Sequence, residues 1–280
     1  MEYNVVKKLG VGSAGDAYLL DDGRAIIVGK REDSFSTYKV LFEKMEKLKG
    51  KVSAVNYPKI YELISPCEDY PFGAVVEEYI SGVELRKINS ELTDAQKRTI
   101  GKILANFVEE IHNIKANGNK YEEVDINLSK LDRSLGILQE YISPEMHDKL
   151  IEIKPLYKQF IESKEFCYTH GDLNSGNIMI NQDGTLSGVI DFGNMEYYIP
   201  EIEFVHMYFF DRVIYDSMVE NYPKKIEEKD IVLLELIVNI RHFKNIRNFE
   251  ERRQNCLNNI GNLLNKYLSM DISISLKEEV

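Results

Sequence analysis

Three polar side chains past the middle of the chain have the types and the spacing that phosphoryl transfer uses. His170 stands two residues before Asp172, and Asn177 follows five residues after it. A carboxylate such as Asp172 can accept or orient the proton of an attacking hydroxyl group, and an amide oxygen such as that of Asn177 can bind a divalent cation. We interpret His170 as a residue that holds this loop through hydrogen bonds.

Asp191 adds a second oxygen donor from the far arm of a predicted hairpin. Two short apolar segments, 177–180 and 186–190, flank an Asp-Gly turn at 183–184, which is a strong hairpin signal. The hairpin would return Asp191 beside Asn177, so that both could reach one magnesium ion. Taken alone, each of these acids could be a turn or cap residue, but their order and separation favour a catalytic site.

A glycine-rich run follows the first predicted strand directly. Gly10-x-Gly12-Ser13-x-Gly15 matches a phosphate-binding pattern that is weak when it stands alone. A dinucleotide-binding fold would continue with a helix, whereas this chain continues with another strand, 16–20, and a hairpin. A glycine loop that joins two antiparallel strands lets backbone amides cover nucleotide phosphates. The alternative interpretation is a glycine-rich turn that binds no ligand.

The elements that must position these residues change in type at about residue 80. The N-terminal part contains five segments rich in Val, Ile, Tyr and Leu, and one amphipathic segment, 35–50, that predicts a helix. An Asp-Asp-Gly turn at 21–23 predicts a hairpin between the second and third strands. The five predicted strands are 3–9, 16–20, 24–28, 59–64 and 74–80.

Beyond residue 82 the pattern is mainly helical. Thr93 and Gln96 have the form of a capping box before a long apolar stripe. The apolar run 231–240 is about half as long as a membrane span and contains Glu235, so it predicts a core helix. Short strands return between 166 and 192. Other helices are predicted at about 128–142, 145–163, 203–220, 229–248 and 251–268.

The charge balance limits the partners. The chain has 35 Lys and Arg against 46 Asp and Glu, a net charge of −11, which argues against nucleic acid as the main partner. The stretch 165–220 has ten acidic residues and one basic residue, Arg212, so it carries −9 of that charge. Such a negative potential would concentrate a polycationic substrate. The alternative interpretation is ordinary solvated helix surface together with the metal site.

The cysteines and the N-terminal sequence bear on location. Cys67, Cys167 and Cys256 are odd in number and far apart, which matches neither a disulfide framework nor metal-ligand spacing. The first residues lack the basic start and apolar run of an export signal. We expect a cytoplasmic protein, acting as a monomer, with no membrane and no nucleic-acid partner.

The segments 169–178 and 189–193 resemble those of the aminoglycoside phosphotransferases and choline kinases, small-molecule kinases with a protein-kinase-like fold. Gly171 stands where eukaryotic protein kinases have Arg, as is usual in this group. The segment 199–204 is similar to the group's Asp-Pro-x-x-Asp-Phe, with Ile199 and Glu203 in place of its two Asp residues.

The resemblance implies an α+β, protein-kinase-like fold with two lobes. A small, β-rich N-terminal lobe with one helix would span 1–80 and bind the nucleotide, with a hinge at about 76–82. A larger, mainly helical lobe would span 83–280 and carry the catalytic loop, the metal site and the acceptor-binding helices.

The resemblance also implies roles for individual residues. Asp172 would be the catalytic base, Asn177 and Asp191 would bind Mg²⁺, and the loop 10–15 would cover the phosphates. Backbone groups at about Glu78 and Ile80 would bind the purine of ATP or GTP. The base pocket would be lined by Ile190, Leu9, Ala17 and either Val75 or Val76, although all of these could equally be core residues.

One residue that the resemblance implies, a lysine on the third strand, is missing from its expected position. The group needs a lysine on the third strand that binds the α- and β-phosphates and pairs with a glutamate on the next helix, and the natural register for it falls on Val28. Lys30 would share the face of Val28 and could take this role through a register change or bulge. We predict Lys30 with Glu43 or Glu46 as its partner, although both glutamates could be solvated surface charges.

These features predict magnesium-dependent transfer of the γ-phosphoryl group of ATP or GTP to a hydroxyl of a small cationic acceptor. An aminoglycoside, in a resistance-type reaction, is the first choice, and choline, homoserine or a sugar-like metabolite is the alternative. Choline sites favour aromatic cages, commonly with Trp, and the chain has no Trp; Tyr197, Tyr198, Tyr208 and Phe209 could substitute. A nucleotide-binding pseudokinase is the alternative of another class, and only the displaced lysine favours it.

Overall fold

The N-terminal part of the chain forms an antiparallel sheet of five strands. In this computed structural model residues 3–12, 14–116 and 118–278 are described, the side chains of 271–278 excepted. All five predicted strands are present, and the turn residue Gly23 has the positive φ of 84° that the predicted hairpin requires. The sheet order is β1-β2-β3-β5-β4. The strands are β1 (Val5–Val11), β2 (Gly15–Leu20), β3 (Arg24–Gly29), β4 (Ile60–Ile64) and β5 (Ala74–Glu78).

The two faces of this sheet have different neighbours. Helix α1 (Ser34–Leu48) follows β3, as predicted, and covers the face that carries Ala17, Ile27 and Val75, which lie opposite one another across three strands. We call this the α1 face, because Tyr38 of α1 lies against it next to Ile27. The opposite face carries a separate apolar cluster of Leu20, Ile26, Ala74 and Val76, against which Val28 packs.

Two small sheets follow later in the chain. Strands β6 (Val83–Glu84), β8 (Ile178–Ile180) and β9 (Leu186–Val189) form one of them, in the order β6-β8-β9. The β8–β9 pair is the predicted hairpin, with Ile178 opposite Val189. Strands β7 (Cys167–Thr169) and β10 (Glu196–Tyr198) form the other.

Helices make up most of the remaining chain. The predicted capping box is present, since the backbone N–H of Gln96 donates to Thr93 Oγ1 (3.3 Å) and that of Thr93 donates to Gln96 Oε1 (2.9 Å). The helices are α2 (Leu85–Ile88), α3 (Asp94–His112), α4 (Lys120–Leu138), α5 (Pro144–Ser163), α6 (Ile202–Phe210), α7 (Arg212–Asn221), α8 (Glu228–Ile246) and α9 (Glu250–Glu278). None of them, over the described ranges, combines the length and apolarity that crossing a bilayer requires.

Three helix predictions were wrong in their bounds, among them the helix at 251–268, because α9 continues to Glu278. The single helix expected at 203–220 is interrupted at Asp211, whose extended backbone (φ −150°, ψ 115°) separates α6 from α7. Helix α4 begins at Lys120, eight residues before the predicted start, because Asn119 caps it by accepting the N–H of Tyr121 (3.1 Å) ahead of a polar first turn.

Packing divides the chain into two compact units. The first contains Met1–Ile114, His170–Met195 and Val213–Asn221, and the second contains the rest. The first unit therefore holds the five-stranded sheet together with Asp172, Asn177 and Asp191. The lobe boundary expected near residue 80 does not coincide with this division and stays a prediction.

Helix α8 contains the apolar run that predicted a core helix, and Glu235 lies within it. Asn239 Nδ2 donates to Glu235 Oε1 (2.9 Å), while Glu235 Oε2 has no hydrogen-bond partner in the described part of the chain. Burial raises the pKa of this carboxyl group from its ordinary value near 4.5 to about 7. The folded protein therefore binds a proton at a pH where the unfolded chain has released it.

Stability should consequently fall as the pH rises from about 4.5 through 7, by up to roughly 3 kcal/mol from this group. We expect Glu235→Gln to remove this loss and to be more stable than the wild type at pH 8 but not at pH 4.5. Urea unfolding at both pH values measures the difference. The exposed Glu152→Gln on α5 is the matched control and should keep the wild-type pH dependence.

Candidate active site

Asp172 lies in the loop that follows β7, and each of its carboxylate oxygens is contacted by an asparagine side chain. Asn174 Nδ2 donates to Oδ1 (2.7 Å), and Asn194 Nδ2 lies 3.3 Å from Oδ2. Asn177 Nδ2 donates to the main-chain carbonyl oxygen of Asp172 (2.8 Å). The carboxylate is half-buried, and its orientation is fixed by neutral amides before any ligand is bound.

His170 supports this loop through hydrogen bonds from both of its ring nitrogens. Its Nδ1 accepts the backbone N–H of Asp172 (3.3 Å), so its proton lies on Nε2, which donates to the carbonyl of Ile190 (3.1 Å). The ring is fully buried and lies 4.6 Å from the ring of Phe192, between centroids. These contacts give His170 the loop-holding role expected from the sequence.

The β8–β9 hairpin brings Asp191 to the same place. The backbone N–H of Ile190 donates to the carbonyl of Asn177 (2.9 Å), so the residue before Asp191 is tied to the residue expected to share its cation. Asp191 has a left-handed backbone (φ 65°) and accepts the N–H of Gly193 at 3.4 Å. Among the described residues it is the one non-glycine residue with positive φ, and such strain is typical of functional sites.

Negative charge is crowded around Asp191. Burial raises the pKa of its carboxyl group, and the charge of Asp172 raises it further. Burial and the charge of Asp191 likewise raise the pKa of Glu77, on β5, to about 7. A divalent cation at Asp191 would relieve this repulsion.

Asp191 and Asn177 have the donor chemistry for magnesium. Mg²⁺ takes oxygen ligands and usually binds through one or two carboxylates, with waters and substrate phosphates completing its shell. Within the described ranges no group of three or more His, Cys, Asp or Glu side chains could hold a metal ion. A carboxylate with an amide oxygen therefore fits magnesium better than it fits a metal that needs a protein cage.

The glycine loop joins β1 and β2 as predicted. Gly12 N–H donates to the carbonyl of Gly15 (2.8 Å), and Gly10 lies opposite Ala17 in the strand pair. Ser13, which was also expected to bind phosphate, lies outside the described residues. The described loop residues thus connect two antiparallel strands, as expected, and the role of the loop as a phosphate cover stays a prediction.

The base of this loop is anchored to its neighbours through one carbonyl group. The carbonyl of Ala14 accepts Ser34 Oγ (2.6 Å), the N–H of Lys30 (3.1 Å) and Tyr38 Oη (3.2 Å). A Cβ on Gly15 would collide with Tyr38 Oη, so packing against α1 is by itself a reason for glycine there.

Lys30 lies beyond the end of β3 and binds an acid other than those expected. Its Nζ is 2.7 Å from Asp16 Oδ1, in place of the predicted pair with Glu43 or Glu46. Both of those glutamates are exposed on α1, and Glu46 lies 3.8 Å from Lys49. The role of Lys30 in nucleotide binding stays a prediction.

The residues expected near the purine lie at the end of β5 and beside Asp191. Glu78 ends the strand, and Ile80 is buried just beyond it. Of the two valines considered for the base pocket, Val75 shares a face with Ala17, while Val76 points to the opposite face. Ile190 precedes Asp191 and is half-buried. Their contacts with a nucleotide stay predictions.

Three site residues were missed by the sequence reasoning. Asn174 was visible in principle, since an asparagine side chain in a loop commonly accepts the backbone N–H two residues further on, here that of Gly176 (2.7 Å). Asn194 and Glu77 are far from Asp172 in sequence. No spacing indicates that Asn194 lies near Asp172 or that Glu77 lies near Asp191.

Comparisons with known proteins identify the family and the fold. The profile of the phosphotransferase enzyme family matches residues 6–225. By sequence, the hydroxylysine kinase of Mus musculus is 27% identical over 150 residues, which cover 46% of this chain and 39% of that protein. The matched part is thus well under two thirds of that relative's length.

Several solved structures share the fold. The gentamicin complex of the phosphotransferase APH(2″)-IIa has a TM-score of 0.74 at 18% identity, covering 93% of this chain and 92% of that one. The GDP and kanamycin complex of APH(2″)-IIIa has a TM-score of 0.76 at 16% identity, covering 96% and 94%. A macrolide 2′-phosphotransferase from Brachybacterium faecium has a TM-score of 0.65 at 11% identity, covering 91% of each chain. The predicted protein-kinase-like α+β fold is confirmed.

The catalytic loop also yields a stability prediction. Gly171 has φ of 77°, and a Cβ there would collide with the carbonyl oxygen of Asn194. We expect Gly171→Ala to lower the free energy of unfolding by roughly 1–3 kcal/mol. The same substitution at Gly136, inside α4 with open space around it, should raise that free energy by up to about 1 kcal/mol. Urea unfolding compares the two, and equal stability of both variants would contradict the loop conformation.

Proposed function

Because the chain belongs to the phosphotransferase enzyme family, we propose that it is a small-molecule kinase that phosphorylates a cationic acceptor, with an aminoglycoside as the leading class. The phosphoryl group would be the γ-group of ATP or GTP, with Mg²⁺ as the cofactor. The observation that carries this proposal is the Asp172 carboxylate, held at both oxygens by amides beside the Asn177–Asp191 hairpin.

The proposed chemistry needs little beyond position and charge. Asp172 accepts a hydrogen bond from the attacking hydroxyl, aims its oxygen at the phosphorus atom and takes up its proton as the new bond forms. Asn177 and Asp191 hold the cation, with the glycine loop 10–15 over the phosphates. When bound, magnesium would neutralise phosphate charge in the transition state.

The acceptor is proposed from shared chemistry. Neighbouring solved structures are complexes with gentamicin, kanamycin or streptomycin, and the relative from Mus musculus is a hydroxylysine kinase. All of these compounds carry hydroxyl groups together with amino groups. The net charge of −9 over 165–220 supports a cation, and a resistance role would follow if the acceptor is an aminoglycoside.

A choline kinase is less well supported. Tyr198, one of four aromatics that could have replaced a Trp cage, is fully buried, and its hydroxyl group hydrogen bonds to that of Tyr157. The side chain therefore belongs to the core of its unit. Homoserine and sugar-like alcohols remain alternative acceptors.

A pseudokinase is the second candidate. The observation that favours it is Lys30, whose ammonium group is paired with Asp16. Against it stands the complete set of Asp172, Asn177 and Asp191, which a protein that only binds nucleotide has no need to keep.

The expected cytoplasmic location and monomeric state, without nucleic-acid or membrane partners, belong to the same proposal. The free thiols of Cys67, Cys167 and Cys256 support a reducing compartment.

The role of Asp172 gives a direct test. We expect Asp172→Asn to lower kcat at least roughly a thousandfold, because the amide cannot take the hydroxyl proton, while the Kd for the magnesium nucleotide changes little. The matched control is Asp183→Asn in the exposed β8–β9 turn, which should keep wild-type turnover. Nucleotide consumption and calorimetric titration measure the two quantities. Unchanged kcat in Asp172→Asn would remove this residue from the mechanism.

The acceptor can be identified by a panel assay. Purified protein with Mg²⁺ and either ATP or GTP is incubated with aminoglycosides, hydroxylysine, homoserine, choline and neutral sugars, and the products are detected by mass spectrometry. We expect phosphorylation of an aminoglycoside, with kcat/KM falling as ionic strength rises because opposite charges attract acceptor and protein. Turnover of neutral sugars alone would contradict the cationic acceptor, and no turnover with any compound would favour the pseudokinase.

A further inference from the structure

Glu77 and the proposed metal ligand Asp191 lie toward the α1 face of the sheet. Glu77 is opposite Ala25 and two residues beyond Val75 on β5, so its side chain is on the α1 face. The short helix Phe192–Asn194, which directly follows Asp191, packs against α1, the helix that covers this face. A nucleotide bound to a cation at Asp191 would have to place its phosphates beside this face.

Lys30 is held on the opposite side of the sheet. Its partner Asp16 lies directly across from Val28, which packs against the cluster on the opposite face. The other oxygen of Asp16 binds Lys8 at 2.6 Å, so two ammonium groups share this carboxylate. The third strand itself offers alanine and isoleucine, not lysine, to the α1 face.

Lys44 brings an ammonium group to the required side. It lies on α1, is half-buried, and its Nζ donates to the carbonyl of Gly193 (2.9 Å). The N–H of the same glycine donates to Asp191 Oδ1 at 3.4 Å. A single residue thus connects this lysine to the carboxylate expected to bind magnesium.

Building on the kinase activity proposed above, we propose that Lys44 binds the non-transferred phosphates of the nucleotide in place of a third-strand lysine. Polyphosphate beside Asp191 and Glu77 requires positive charge in addition to the cation, because like charges at short range repel strongly away from bulk water. An ammonium group is a compact charge with three rotatable donors, so it can bind a phosphate oxygen while it keeps the carbonyl of Gly193.

Binding assays separate this role from a structural one. Calorimetric titrations compare the magnesium nucleoside triphosphate with the corresponding nucleoside, which has no phosphate to bind. Lys44→Ala should weaken triphosphate binding by roughly 10- to 100-fold, the range of a charge-assisted hydrogen bond, and leave nucleoside binding within about twofold. Lys44→Arg should restore part of the loss. Lys47→Ala, exposed one turn later on α1, is the matched control and should bind both ligands normally.

Four results would overturn the assignment. A phosphate-selective loss of binding in Lys30→Ala, with none in Lys44→Ala, would give the role to Lys30. Equal weakening of nucleoside and triphosphate by Lys44→Ala would mean that the residue only supports the fold. If the wild type phosphorylates its acceptor and Lys44→Ala keeps normal triphosphate affinity, the role of Lys44 is refuted and the proposed function is not. If the wild type binds no nucleotide, both the role of Lys44 and the proposed function are refuted.

Discussion

The candidate site depends on the backbone of a single residue, Ile190. Its N–H donates to the carbonyl of Asn177, and its carbonyl accepts Nε2 of His170. These two bonds join the arms of the β8–β9 hairpin to the loop that carries Asp172. These bonds are made by main-chain groups and one buried imidazole. The positions of Asp172 and Asp191 therefore do not depend on their own carboxylate groups.

It matters that other groups hold the acids in place, because the carboxylates themselves repel one another. Burial raises the pKa of both Asp191 and Glu77; the charge of Asp172 adds to the shift at Asp191, and the charge of Asp191 adds to that at Glu77. The ionised forms of both groups are therefore unfavourable in the protein alone. Neutral amides from Asn174 and Asn194 orient Asp172 without cancelling its charge. The arrangement keeps negative potential for a cation and for a positively charged acceptor.

Most elements could be predicted from the sequence because their patterns are local. Five strands, the capping box at Thr93 and the β8–β9 hairpin follow from alternation, from side-chain capping and from an Asp-Gly turn. The break at Asp211 could not be predicted, because the apolar pattern continues across it. Asn194 and Glu77 could not be placed in the site either, since only the folded chain brings them to Asp172 and Asp191.

The sequence by itself determined which chemical groups the site contains: an acid and an amide on one loop, a second acid on a hairpin, and a glycine flap. Only the tertiary structure decided which lysine lies near them. Spacing placed Lys30 on the face of Val28, but successive side chains in a strand alternate between faces, and no local pattern states which face a helix will cover. Strand pairing and the docking of α1 put Val28 and Lys30 opposite to the α1 face, and the same docking brought Lys44 to Gly193.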